Sequence, residues 1–188
     1  MVTYSPNYKK LILEIEKIFS KAEFELETAH SLDTFKWVKK IDKNASESLQ
    51  IAALSHDIDR GIKPKTTRSE GETYDSYKKR HAKRSSQLIS KLMAKYGYSK
   101  DLIDTTSRLV ENHEVGGDVE NDVLMDADSI SFFSCNLDWY FRYKGLNRTK
   151  DKIIFMYKRA TPRAKQIIKT IKIKKNKQLQ EICREIFN

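Results

Sequence analysis

The sequence predicts an all-α fold, and three observations carry the prediction. Glycine and proline are scarce, at 6 and 3 of 188 residues. Apolar residues recur at helical spacing along nearly the whole chain. Where proline and glycine do occur, they punctuate it: Pro6 and Pro162 follow hydroxyl residues as helix starts do, and Gly61 and Gly97 stand where helices stop.

Taken in order, Ser5 followed by Pro6 predicts a capped start, after which Leu11, Ile15, Ile18, Phe19 and Ala22 share one face. A second helix carries Leu32, Phe35, Val38 and Ile41, and a third runs from about Ser46 through Leu49, Ile51, Ala52, Ala53 and Leu54 to Gly61. That third helix is apolar on most sides, so it belongs inside a bundle, and what it displays there is His56-Asp57. Residues 62–76 lack periodicity and read as a long loop of the kind that is often functional. A fourth helix covers about Tyr77 to Tyr96, with Gly97 as its stop. A fifth follows Ser99 with Leu102, Ile103, Thr106, Leu109, Val110 and His113 on one face. The tract EVGGDVEN breaks the chain before a sixth helix from about Asp122 to Lys144, on which Leu124, Ala127, Asp128, Ser131 and Cys135 form a stripe. His113 and Asp128 therefore face the core. Beyond Gly145 come one or two more helices, starting again at Thr161-Pro162 and packing through Ile167, Ile168, Ile171, Leu179, Ile182 and Ile186.

The length suits one domain, residues 1–188, with basic helices over about 146–188. With 39% hydrophobic and 33% charged residues and a mean hydropathy of −0.66, the composition is that of a soluble protein. No apolar run approaches the roughly 20 residues a spanning helix needs, and charges interrupt every apolar stretch of MVTYSPNYKKLILEIEKIF, so no membrane span and no secretory signal are expected. The expectation is a cytoplasmic protein. Cys135 and Cys183 are too few for a disulfide scaffold and lack CxxC pairing. The net charge is +10, and between Arg142 and Lys177 there are fourteen Lys or Arg against one acid, Asp151. A field of that sign favours an anionic partner, whether a small phosphorylated molecule or nucleic acid, and equally describes a solvated lysine-rich face. The aromatic residues Trp139, Tyr140, Phe141 and Tyr143 are expected mainly in the core.

Four histidines, His30, His56, His81 and His113, each fall on an expected helix among apolar neighbours. A single such histidine is usually a satisfied core residue, but several inward imidazoles accompanied by inward carboxylates are costly to bury unless they share a cation. The series His30, His56-Asp57 and Asp128, the last within Met125-Asp126-Ala127-Asp128-Ser129-Ile130, resembles the H…HD…D signature of the HD-domain superfamily of metal-dependent phosphohydrolases. The contexts AHSLDTFKWVKKI, IAALSHDIDRG and LMDADSI resemble its three motif helices in order, over about residues 28–135. The resemblance implies a helical bundle in which His30, His56, Asp57 and Asp128 bind a divalent cation. Asp126 is the competing choice for the last ligand; it lies on another helix face, which suits a capping or supporting role.

Some members of that superfamily hold a second metal with two further histidines. His81 in KKRHAKRSSQLI and His113 in RLVENHEVGG resemble those positions, implying one or two ions with Asp57 bridging; alternatively the pair lines the pocket and donates to phosphate. Imidazoles with oxygen ligands suit Mn, Fe, Co or Ni better than an all-oxygen Mg cage. What the resemblance implies is hydrolysis of a phosphate mono- or diester of a small metabolite or nucleotide through a metal-bound hydroxide. Arg60, Lys78 and Arg84 are the cations expected to meet the substrate, Lys78 and Arg84 because they share His81's face. Arg60 also stands where several nucleotide-cleaving members carry a glutamate. That leaves Asp57 and Asp59, or Glu114, to act beside the hydroxide, or else a different substrate class. The alternatives are a dinuclear-iron HD-type oxygenase and a basic nucleic-acid-binding protein that kept the fold.

Overall fold

Local chemistry sets most helix starts. Ser46, Ser99 and Thr161 sit in extended backbone and turn their hydroxyl oxygens to accept from the amides of Leu49, Leu102 and Ala164, satisfying donors that a helix N-terminus leaves open. In the computed structural model, which describes residues 3–173 and 176–187, the order is α1 (Tyr8–Phe19), α2 (Glu25–Ile41), α3 (Glu47–Ser55), a 3₁₀ turn (Ile58–Gly61), α4 (Tyr74–Lys95), α5 (Lys100–Asn112), α6 (Val119–Ser131), a π turn (Phe132–Asn136), α7 (Leu137–Arg159), α8 (Pro162–Thr170) and α9 (Lys177–Phe187). No strand occurs among the described residues, and the predicted all-α bundle of one domain is what is found. Residues 174–175 of the basic C-terminal tract, with residues 1–2 and 188 of the expected domain, lie outside the described residues. No helix among the described residues is long and apolar enough to cross a membrane. Both cysteines are free.

Several boundaries differ from expectation for reasons visible in the contacts. α1 begins at Tyr8 rather than Pro6, because Ser5 spends its amide and its hydroxyl on Glu47 Oε2, at 2.9 and 3.0 Å. α3 stops at Ser55 instead of reaching Gly61, since the His56 ring places Nδ1 2.9 Å from the Ala53 carbonyl that the next helical amide would have used. α4 starts at Tyr74, a turn early, where the Thr73 hydroxyl accepts from Ser76, so the loop expected over 62–76 is shorter. α6 likewise starts early at Val119, on an Asp118 cap. Gly145, with φ 74° and ψ 176°, breaks the helical course of α7 where a break was expected, in a conformation that a Cβ disfavours.

The core has two apolar clusters. The first gathers Leu11, Ile15, Phe19, Leu49, Ile51 and Leu54 with residues of α4 and α5, and the second gathers Ile130, Phe132, Phe133, Ile153, Met156 and Ile168 with α9. α6 joins them: Leu124 and Ala127 belong to the first and Ile130 to the second. Asp128 falls at the changeover, with the buried His30 and His56 beside it.

Candidate metal centre

Each expected ligand reaches the same region by a different local route. His30 comes from the middle of α2, and Asp128 from α6. His56 and His113 are the C-cap residues of α3 and α5, both in αR conformation. Each sets Nδ1 against the carbonyl three residues back, Ala53 at 2.9 Å and Val110 at 2.7 Å. A carbonyl can only accept, so both rings carry a proton on Nδ1 and turn Nε2 toward the aspartates. His81 points inward from α4, and its ring centroid lies 6.5 Å from that of His113. The row continues from His113 to His56 at 5.1 Å and from His56 to His30 at 5.3 Å.

The side chains form two similar halves. In one, Asp128 Oδ1 lies 3.0 Å from His30 Nε2 and 3.8 Å from His56 Nε2, while Oδ2 takes Arg159 Nη2 at 2.5 Å. In the other, Asp57 Oδ1 lies 2.6 Å from His81 Nε2 and 3.8 Å from His113 Nε2, while Oδ2 takes Arg60 Nε at 2.7 Å. Both arginines are themselves tied to a glutamate, Arg159 to Glu114 at 2.7 Å and Arg60 to Glu27 at 3.7 Å. Each aspartate thus keeps one oxygen for imidazoles and gives the other to a guanidinium.

The donor set fits a cation. Ligand atoms of His30, His56 and Asp128 all lie within 4.8 Å of one another, and all three residues are buried. His56 Nε2 is buried without any hydrogen-bond partner. An unsatisfied buried lone pair aimed at a carboxylate is destabilising on its own and is what a divalent ion would satisfy. Burial pushes the His56 pKa down to about 4, so the ring is neutral and ready to ligate. Burial opposes charge on Asp128 and Asp57 as well, but their arginines and histidines hold both carboxyls well below the usual range.

Supporting contacts fix the rings. Ser131 Oγ meets His30 Nδ1 at 2.9 Å. Asp59 Oδ2 lies 2.9 Å from His81 Nδ1, and its carboxylate also accepts from Thr66 N–H at 3.0 Å and Arg84 Nη1 at 2.9 Å. Asp59 therefore sits behind His81, on the nitrogen opposite the one that faces Asp57; both its oxygens are engaged, and beside the ligands it is a holder of His81. Arg84 does share His81's face, yet its guanidinium is drawn to Asp59 and away from the ligand cluster. Lys78 is buried, paired with Asp75 at 3.1 Å and set over the Phe155 ring at 3.9 Å. Arg60 remains 36% exposed beside Asp57, a cation at the edge of the cluster. Asp126 accepts from the Thr161 amide at 2.8 Å and from its hydroxyl at 2.5 Å; it anchors the start of α8 and takes no part in the ligand group.

Sequence reasoning missed Arg159 as a partner of Asp128. Its signal was a helical stripe Lys152, Phe155, Arg159 beside the buried Met156 and Ala160, inside a tract whose many other lysines and arginines invite a surface reading. Ser131 lay on the Asp128 stripe, but nothing in the sequence said that it meets His30.

No curated protein and no solved structure matches the chain. The family model described as Domain of unknown function (DUF4202) matches residues 14–182, a span that includes every side chain of the two halves, and the chain belongs to that family.

Proposed function

We propose that this chain is a metal-dependent phosphohydrolase of HD type that cleaves a phosphate mono- or diester of a small metabolite or nucleotide. The observation that carries the reading is the orphaned Nε2 of His56, turned with His30 Nε2 onto Asp128 Oδ1 while the other ring nitrogens are occupied elsewhere. His30, His56 and Asp128 would hold one cation, and Asp57, His113 and His81, the last after giving up the Nε2 proton it shares with Asp57, would supply the donors for a second. Such a set suits Mn, Fe, Co or Ni. A divalent ion there supplies the acidity that ionises water near neutral pH and the charge that neutralises phosphoryl oxygens.

The chain's own groups do the positioning. Asp59 and Ser131 orient the His81 and His30 rings, Arg60 and Arg159 hold the two aspartates with one oxygen inward, and the exposed part of Arg60 would take a phosphoryl oxygen. In the reaction, the oxygen of water bonds to phosphorus, the ester P–O bond breaks, and one proton of that water passes to the released alcohol oxygen.

The test is phosphate release from a panel of phosphorylated metabolites and nucleotides with added Mn²⁺, run beside Asp57→Ala. Release that the substitution removes supports the reading. Oxygen consumption by iron-loaded protein that releases no phosphate moves it to the oxygenase, and equal release by the variant sinks it.

A further inference from the structure

Next to the Asp128 half, three cations surround one ring. Phe155 has Lys78 Nζ 3.9 Å, Lys152 Nζ 5.1 Å and the Arg159 guanidinium carbon 5.1 Å from its centroid. The two lysines also share Tyr74, at 5.3 and 6.0 Å. Of the three, Arg159 is neutralised, by Asp128 and Glu114. The lysines are not. Lys78 is buried, and its partner Asp75 is 83% exposed, a pairing worth little in water. Lys152 Nζ donates to Tyr74 Oη at 3.4 Å and meets no carboxylate at salt-bridge distance among the described residues. Burial lowers its pKa although Glu114 and Asp128 pull the other way.

Two ammonium groups on one ring repel each other, and Lys78, buried, has given up more of its water than the half-buried Lys152. Cation–π attraction is modest and does not offset that. What such a pair accepts well is a multiply charged oxyanion, which takes short charge-assisted hydrogen bonds from both. Arg159 links the pair to the reacting end, since the same guanidinium packs on Phe155 and bonds Asp128.

We propose that Lys78 and Lys152 bind a second phosphate of the substrate, so that the molecule cleaved is a diphosphate or bisphosphate rather than a simple monoester. The identity of the substrate rests on the hydrolase reading; the anion site itself does not. The experiment is calorimetric titration of manganese-loaded protein with orthophosphate, inorganic pyrophosphate and an alkanediol bisphosphate, using wild type, Lys78→Met and Lys152→Met. Methionine keeps the length of each stem and removes a buried charge, so the variants should fold, and metal analysis checks that their manganese content is unchanged. Each variant is expected to lose at least about tenfold in affinity for pyrophosphate or the bisphosphate and less than about threefold for orthophosphate. The pyrophosphate and bisphosphate arms separate adjacent from spaced phosphates. Equal losses for all three anions, or no loss for any, overturn the second site. If selective loss is seen while the panel shows no phosphate release, the site stands and the hydrolase reading falls.

Discussion

Replacing Arg159 by methionine is the sharpest test of how the Asp128 half is held together. The guanidinium is only 8% exposed and bonds Asp128 Oδ2 at 2.5 Å, Glu114 Oε2 at 2.7 Å and Ser129 Oγ at 2.9 Å. Its loss leaves two carboxylates in a buried setting with their cation gone. Breaking a buried pair in this way costs about 3–5 kcal/mol, far more than the pair contributes against an apolar replacement of both sides. For a chain of this size that is a fall of about 10 °C in Tm. The charge that methionine lacks is one that a divalent ion beside Asp128 can replace. Excess Mn²⁺ should therefore raise the variant's stability more than the wild type's, beyond the mass-action gain common to both. Arg159→Lys should fall between, because a single ammonium cannot span Asp128 and Glu114 in the fork geometry of arginine. The assay is urea unfolding followed by far-UV circular dichroism, in EDTA and then in excess Mn²⁺. A loss below about 1 kcal/mol in EDTA would refute the reasoning, as would an equal manganese effect on both proteins.

Two further outcomes are expected. Burial works against charge on His81, but Asp57 and Asp59 outweigh it and raise its pKa from 6.5 to about 9. In EDTA the imidazolium's contribution to stability should thus be full below 6.5 and be lost as pH climbs through about 9; denaturation across that window checks it, and a slope unchanged in His81→Gln would rule it out. Gly61 packs so closely on α1 that an added Cβ would lie 2.8 Å from Ile18 Cγ2 and 2.9 Å from the Ile18 carbonyl oxygen. Gly61→Ala should cost about 1–3 kcal/mol with an unchanged urea m-value, and a neutral result would mean that the 3₁₀ turn gives way easily.

Which features could be read from the sequence follows from how far apart the deciding groups lie. The starts at Ser46, Ser99 and Thr161 depend on a hydroxyl and an amide three residues away, and the sequence signal is right for all of them. Ser5 offers the same local signal, yet Glu47, 42 residues along, takes its hydroxyl. Periodicity put His113 and Asp128 on inward faces, and the structure brings them together with His30, His56, Asp57 and His81. Periodicity also put Arg84 on His81's face, but a face does not name a partner. Asp59, turned by the 3₁₀ segment, draws that guanidinium away. Arg159 needed α7 to run back across α6, a fact of packing that no window of sequence contains.

The two halves also explain why the basic composition of the C-terminal tract is ambiguous when read as charge alone. Asp128 and Asp57 must stay ionised and oriented in a buried region, and each does so through an arginine on its outer oxygen, Arg159 and Arg60. Arg159 comes from the C-terminal tract, where its charge serves an interior carboxylate, and Lys152 from the same tract lies against Phe155 rather than in open solvent. Part of the positive charge that suggested an extended anionic partner is therefore spent inside the fold. Because the arginines hold the outer oxygens, the inner oxygens of both aspartates already face imidazole nitrogens. An incoming cation would meet donors whose orientation was fixed when the bundle folded, which would lower the ordering cost of binding.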